Sequence, residues 1–501
     1  MEQIVKDFNA HMDKIRMYGQ LMGVSGFDAN TIAPKAGVAV RAKRDGFFSE
    51  KIFLMTTSDE MKGYLEGLAT MVDKLDPITV ARYKKAKKNF DKNTKIPSQL
   101  VKEFSELRAK AHVVWQDARK NDDFASFAPV LEQIVAKSKE VAGYRLEEGQ
   151  SVYDMMLDDY EEGMNMEIYD KFFAQVREVV VPLLKAVVGS NKQIDANFMK
   201  APVEKAMQEK ISDFAAEKIG YDMERGYITE STHPFCSGTH KTDIRITTRY
   251  DERDFVSSFY SILHECGHAI YEQSTCDSIA ETELSRGASM GIHESQSRFY
   301  ENVIGRSRGF WNYITEELKG YLPKSFGAIT PEQFYEAVNQ AGPSLIRVEA
   351  DELTYSLHIM IRYEIERMLF VDNLPVSELP RVWNEKYQEY LGITPPNNTL
   401  GVLQDIHWSM GAFGYFPTYA LGTAYASQFV AEMKKDLDFD GLIVKGDFAK
   451  ITAWMTDKIH RHGSMYAPAE ILQQVCGGGL DASHYTTYLK DKFEALYEVK
   501  I

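Results

Sequence analysis

Between Gly226 and Tyr250 the sequence GYITESTHPFCSGTHKTDIRITTRY departs from everything around it. It is rich in Thr, Ile and Tyr, and it alternates, with breaks at a Pro-Phe pair and a Ser-Gly pair that read as turns. That pattern predicts a small sheet of two or three strands. Elsewhere apolar residues recur at three- and four-residue steps, in 1–22, 59–74, 97–120, 126–143, 166–188, 198–218, 309–320, 331–341, 348–371, 377–391, 447–461 and 483–498. This is the signature of amphipathic helices. Clusters of Gly, Pro and Asn punctuate them, as in DANTIAPKAG from Asp28, TPPNNTLG from Thr394 and CGGGL from Cys476. The last has no Gly-Lys-Ser/Thr ending and follows no clear strand, so it reads as a loop and not as a phosphate cradle. No Gly/Ser linker and no internal repeat divides the chain. The expectation is one large, mainly α-helical unit over 1–501, with two lobes around a groove.

The sheet segment runs into FVSSFYSILHECGHAIYE, a strongly apolar helical stretch that Asp254 is placed to cap. It contains His264-Glu265-Cys266-Gly267-His268. Residues i and i+4 lie one above the other on a helix, so His264 and His268 can offer two imidazole nitrogens to one metal ion. Glu265 falls between them in angle, within reach of an attacking water. Cys266 points to the opposite side, since two residues turn a helix by about 200°, and reads as core packing. Five residues can recur by chance. Two His and a Glu on an apolar helix are costly to bury without a partner, however, and a metal ion removes that cost.

A catalytic zinc takes three protein ligands and keeps one position open. The metzincin pattern would need Gly and His at positions held here by Tyr271 and Ser274, which excludes that class. Downstream, GASMGIHESQSRFYENVIG reads as a loop closing at Gly291 followed by a helix whose first turn offers His293 and Glu294. Either side chain has ligand chemistry. Glu294 is favoured, because two His and one Glu is a familiar catalytic set. Glu281, Glu283 and Asp277 are competing carboxylates in CDSIAETELSR, a connection that reads as solvated.

Composition excludes several classes of partner. The chain of 501 residues carries a formal charge of −15, so a nucleic-acid backbone or an anionic membrane surface is repelled. The one basic run, KKAKKNFDKNTK from Lys84, reads as a solvated helix face and turn. Four cysteines without regular spacing fit reduced thiols and a cytoplasmic location. The N-terminus has neither signal-peptide nor transit-peptide character, and the most apolar segment, VVVPLLKAVV from Val179, is too short and too broken to span a membrane.

HECGH followed by IHESQSR, with Glu294 thirty positions after His264, resembles the Taq-type metallocarboxypeptidases. So do His-Pro-Phe at 233–235, DIRIT from Asp243, IRVEADELTY from Ile346, GVLQDIHW from Gly401, YDMMLDDYEEGM from Tyr153 and DANTIAPKAG from Asp28. The resemblance covers essentially the whole chain. It departs at Phe27, where that family often has Trp, and at Glu162, where it often has Pro. It implies a zincin-like helical fold with a small sheet beside a deep substrate groove, in a homodimer. It also implies an enzyme that removes single residues from the free C-terminus of peptides with broad side-chain tolerance. Carried onto this sequence, His264, His268 and Glu294 hold one divalent metal ion, zinc first and cobalt second, and Glu265 is the base.

The remaining roles stay open at this level. His407, Tyr415 and Tyr419 are candidate donors to the oxyanion of the tetrahedral intermediate, with ordinary core packing the competing reading for the two tyrosines. A free C-terminal carboxylate calls for a guanidinium, which can grip it with two parallel bonds. Arg347 is preferred over Arg245, although either could instead serve a structural pair with Glu349, Asp351 or Asp243. His233 either lines the pocket for the terminal side chain or is a turn histidine before Pro234. Two alternatives to an exopeptidase are a helical zinc oligopeptidase cutting internally, and a scaffold protein stabilised by a closed metal site.

Overall fold

A computed structural model describes residues 2–501. Among these residues there are twenty-one α-helices and one three-stranded sheet. The sheet comprises β1 (Gly226–Glu230), β2 (Cys236–His240) and β3 (Asp243–Thr248), in the order β1-β3-β2. β1 runs parallel to β3 with Gly226 opposite Ile244, and β2 runs antiparallel to it with Cys236 opposite Ile246. Ile244 and Ile246 enter the core, while Arg245 points to the other face. The Ser-Gly pair expected to be a turn lies inside β2, and the chain reverses at Lys241 and Thr242 instead. A Cβ on Gly238 would come 2.2 Å from Ile244 Cδ1 and 3.2 Å from Glu272 Oε2. The glycine is there for close approach of the strand to its neighbours.

The helix Phe255–Gln273 follows directly, and Asp254 caps it as expected, accepting a hydrogen bond from the Ser257 amide. Most of its side chains are buried, Cys266 completely, so the cysteine packs in the core as expected. The helix Met290–Arg298 crosses it. Ser289 caps that second helix through the Ile292 amide, and the buried Glu161 carboxylate accepts from Ser289 Oγ and the Gly291 amide, both at 2.8 Å. The segment continues as a π-helical turn, Phe299–Ile304, a geometry that recurs at functional sites.

A third helix, Pro417–Asp436, packs along Met290–Arg298. It is buried around nearly its whole circumference, so it has no amphipathic period for the sequence to display. Several other helices also lie outside the expected set, among them Val38–Thr56, which buries none of its side chains fully, and Pro468–Cys476. The first helix runs on to Thr31, past the expected end at 22, and buries Ser25 and Phe27 in that extension. The ring of Phe27 meets Phe235 edge-on at 5.8 Å.

The hydrophobic interior consists of one extensive cluster spanning residues 111–497 and a small separate one built by Phe8, Met12, Met61, Leu65, Leu68, Tyr83 and Ala86. Polar contacts join the N-terminal helices to the rest, including the buried Arg82 guanidinium bound to Glu283 at 3.1 Å. Among the described residues no helix is long and apolar enough to cross a membrane.

Candidate metal centre and substrate-end site

Two helices bring three side chains together. His264 Nε2 and His268 Nε2 lie 3.7 and 3.6 Å from Glu294 Oε2, and all three ligand atoms fall within 4.8 Å of one another. Those separations are too long for hydrogen bonds. They do suit ligands that share a central ion, because two donors each about 2.1 Å from zinc at a tetrahedral angle stand about 3.4 Å apart. The donor set therefore fits one divalent cation.

The crossing that permits this depends on two glycines. A Cβ on Gly267, within HECGH itself, would sit 2.4 Å from the Gln296 carbonyl oxygen and 2.7 Å from Ser297 Cα. A Cβ on Gly422 would sit 2.4 Å from Glu294 Cγ. Each glycine lets a neighbouring backbone or ligand side chain approach where any other residue would hold it off.

Each of the three candidate ligands is held from behind. His264 Nδ1 lies 2.8 Å from Glu301 Oε2. His268 Nδ1 lies 2.5 Å from His293 Nδ1, and His293 Nε2 lies 3.2 Å from Glu272 Oε1. Glu294 Oε1 accepts from Arg298 Nε at 2.8 Å, and the same guanidinium reaches Glu301 at 3.1 Å. An acceptor behind an imidazole fixes its orientation and raises its basicity, while the Arg298 guanidinium orients the Glu294 carboxylate. Sequence reasoning missed them, although a signal was present. His264, His268 and Glu272 recur at four-residue steps on one helix, and Glu294, Arg298 and Glu301 follow at steps of four and three on the other. Stripes of charged residues on otherwise buried helices mark a polar site.

Burial and neighbouring charges act on the cluster together. Burial opposes charge on His264, yet the Glu294 and Glu301 carboxylates overcome it and lift the imidazole to about 9. Burial and the neighbouring imidazoles push His268 well below its ordinary value. Burial lifts the Glu265 carboxyl to about 7 against the opposing pull of His264. Burial likewise opposes ionisation of Glu301, but Arg298 and His264 hold its carboxyl down at about 2.

The competing carboxylates are engaged elsewhere. Glu281 and Asp277 are exposed and paired with Arg16 and Lys241. Glu283 is half-buried against Arg82, and not solvated as expected. His293 stands behind His268 instead of beside Glu294.

Arg347, Tyr415, Tyr419 and His407 form a second cluster. The Arg347 guanidinium lies 5.1 Å from the centre of the Tyr419 ring, Tyr415 and Tyr419 meet edge-on at 5.1 Å, and His407 lies 5.3 Å from Tyr415. The cluster is joined to the three-ligand site. Arg347 Nη1 donates to the Tyr355 hydroxyl at 3.3 Å, and Arg298 stacks over the Tyr355 ring at 4.8 Å. Arg347 also has a structural partner that the nearby acids did not indicate. Asp405 Oδ1 takes both its Nε and its Nη2, at 3.0 and 2.9 Å, while Arg362 holds Oδ2. The two-pronged edge of Arg347 is thereby occupied, and Nη1 is the atom not bound to Asp405. Burial pulls the His407 imidazole down to about 4, and its buried Nδ1 has no hydrogen-bond partner.

Arg245 and His233 are placed differently. Arg245 closes a pair with Asp243 at 2.7 and 3.0 Å and covers the Phe27 ring at 5.2 Å. His233 is exposed, and its carbonyl accepts from Ser231 Oγ.

Residues 7–493 match the family model described as carboxypeptidase Taq (M32) metallopeptidase. The chain belongs to the M32 carboxypeptidase family. It is 41% identical over 496 residues to carboxypeptidase 1 of Bacillus subtilis, covering 98% of both chains. It is 35% identical over 488 residues to thermostable carboxypeptidase 1 of Thermus thermophilus, covering 95% of this chain and 96% of that one. Among solved structures, the M32 carboxypeptidase of Deinococcus radiodurans superposes with a TM-score of 0.95 at 32% identity, over 99% of this chain and 100% of that one. Membership of the M32 family makes the chain a metallocarboxypeptidase, a hydrolase acting on peptide bonds, and carries the exopeptidase reading over internal cleavage. A metallopeptidase family also implies a divalent metal ion.

Proposed function

We propose that His264, His268 and Glu294 hold one zinc ion, with cobalt a competent replacement, and that Glu265 is the general base of peptide hydrolysis. The observation that carries this reading is the convergence of three ligand atoms within 4.8 Å, with the buried Glu265 on the same helix as two of them. When bound, the metal ion supplies Lewis-acid polarisation of the scissile carbonyl and makes water more acidic. Glu265 accepts the proton of the attacking water and delivers it to the departing amine.

The developing oxyanion is met by donors from the second cluster: His407, which is neutral near pH 7 and can still donate one N–H, and the hydroxyl of Tyr415 or Tyr419. Arg347 receives the free carboxylate of the substrate through Nη1 beside the Tyr355 hydroxyl, while Asp405 keeps the guanidinium oriented. The contact chain from Arg347 through Tyr355 and Arg298 to Glu294 supports this choice over Arg245, which pairs with Asp243 and covers Phe27, and over His233, which lies exposed. The reading extends to single-residue removal from peptides of broad sequence, by one catalytic unit spanning the chain, acting in the cytoplasm as a homodimer.

Glu265→Ala tests the role of the base. Loss of a positioned proton acceptor lowers kcat by about 10²–10⁴ while metal affinity stays near that of the parent. Unchanged kcat would remove Glu265 from the mechanism.

A further inference from the structure

The two histidine ligands are supported in different ways. Behind His264 stands a carboxylate, Glu301. Behind His268 stands another imidazole, His293, and the contacts continue outward from it. His293 Nε2 faces Glu272 Oε1 at 3.2 Å, Glu272 Oε2 accepts from Arg286 Nη1 at 2.9 Å, and Arg286 Nη2 donates to the Gly238 carbonyl. Gly238 lies in β2, an edge strand of the sheet.

The hydrogen-bonding logic of this chain runs in one direction. His268 turns Nε2 toward Glu294, so a metal ion taken there leaves the ring proton on Nδ1. That proton has one acceptor in reach, His293 Nδ1, at 2.5 Å. His293 must then carry its own proton on Nε2, where the Glu272 carboxylate accepts it. Each ring fixes the tautomer of the next.

The site is also built sterically. The rings of His268 and His293 meet with centroids 4.4 Å apart and planes 30° apart, and the Tyr271 ring centre lies 5.5 Å from that of His293. A Cβ on Gly287 would come 2.2 Å from His293 Cδ2, so the loop gives up a side chain to make room for the ring.

We propose that His293, Glu272 and Arg286 are positioning residues that fix the orientation and tautomer of His268 and tie that ligand to β2. This rests on the reading of His264, His268 and Glu294 as the metal ligands. An imidazole in this place, where His264 has a carboxylate, reaches a more distant Glu and Arg, and so links the metal centre to the sheet.

The test measures Zn²⁺ affinity by chelator competition, and the visible spectrum of the Co²⁺-loaded protein, in the parent and in His293→Ala, His293→Asn and Arg286→Ala. His293→Ala is expected to weaken Zn²⁺ binding by about 10–100-fold and to alter the Co²⁺ spectrum. His293→Asn, whose side-chain oxygen can stand where Nδ1 accepts, is expected to recover most of that loss. Arg286 is half-exposed, so Arg286→Ala keeps the fold and is expected to weaken binding several-fold, with the metal-free melting temperature unchanged. Parent-like affinity and spectrum in His293→Ala would overturn the proposal. If that variant does not fold, parent-like affinity in Arg286→Ala overturns it. Failure of the parent itself to bind Zn²⁺ would sink the three-ligand centre, and the relay with it.

Discussion

Gly267 Cα faces the Gln296 carbonyl so closely that a methyl group there would stand 2.4 Å from the oxygen. This contact sets the distance between the helix bearing His264 and His268 and the helix bearing Glu294. Gly267→Ala must part the two backbones, since the opposing atoms are main chain. Overpacking of this kind costs about 1–3 kcal/mol. The expected result is a lower melting temperature together with a loss of Zn²⁺ affinity of tenfold or more. A stable Gly267→Ala protein with full affinity would show that the crossing does not set the ligand geometry.

Glu301 is the only carboxylate within hydrogen-bonding distance of His264 Nδ1 among the described residues. Its replacement by Ala frees that ring and also removes a partner of Arg298. Metal affinity is expected to fall by about 10–100-fold, measured by competition with a chelator.

Much of this site is legible in the sequence because its rules are local. The i, i+4 spacing of His264 and His268, the cap at Asp254 and the alternation around Ile244 and Ile246 each follow from residues a few positions apart. The third candidate ligand is less local, since Glu294 comes to His264 only through the backbone crossing at Gly267. The partners Arg347–Asp405 and His293–His268 are set by packing between distant elements. The acids near Arg347 in sequence, Glu349 and Asp351, gave no indication of Asp405. The helix Pro417–Asp436 was hidden for a different reason. It is buried nearly all round, so the polar face that would have revealed its period is absent.

Arg347→Ala leaves Asp405 paired with Arg362, so the fold is expected to survive with a modest loss of stability. The loss should fall on KM for peptides with a free C-terminus. A charged hydrogen bond contributes about 1.5–3 kcal/mol, which predicts a drop of roughly 10–100-fold in kcat/KM. Arg245→Ala serves as the comparison and is expected to leave KM within a few-fold of the parent.

Glu366 makes a prediction about pH. Its fully buried carboxylate accepts from the Gly414 amide and Trp408 Nε1 at 2.8 Å and from the Tyr153 hydroxyl at 2.9 Å, yet burial lifts its proton affinity to about 7. In the unfolded chain the same group loses its proton near its ordinary value of 4.5. Between these limits the folded state holds the extra proton, so stability falls as pH rises from about 4.5 toward 7. Glu366→Gln cannot titrate. The stability advantage of the parent over this variant is therefore expected to shrink by about 1–3 kcal/mol between pH 5 and pH 8, measured by denaturant unfolding. An advantage that grows over that range would reverse the sign assigned here.

The central claim is that this metal centre works from the free end of a peptide gripped at Arg347. The direct measurement incubates Zn²⁺-loaded protein with one peptide in two forms, C-terminally free and C-terminally amidated, and reads the products by mass spectrometry. The predicted result is a ladder of single-residue losses from the free peptide and no cleavage of the amidated one. Internal fragments from both forms would contradict it.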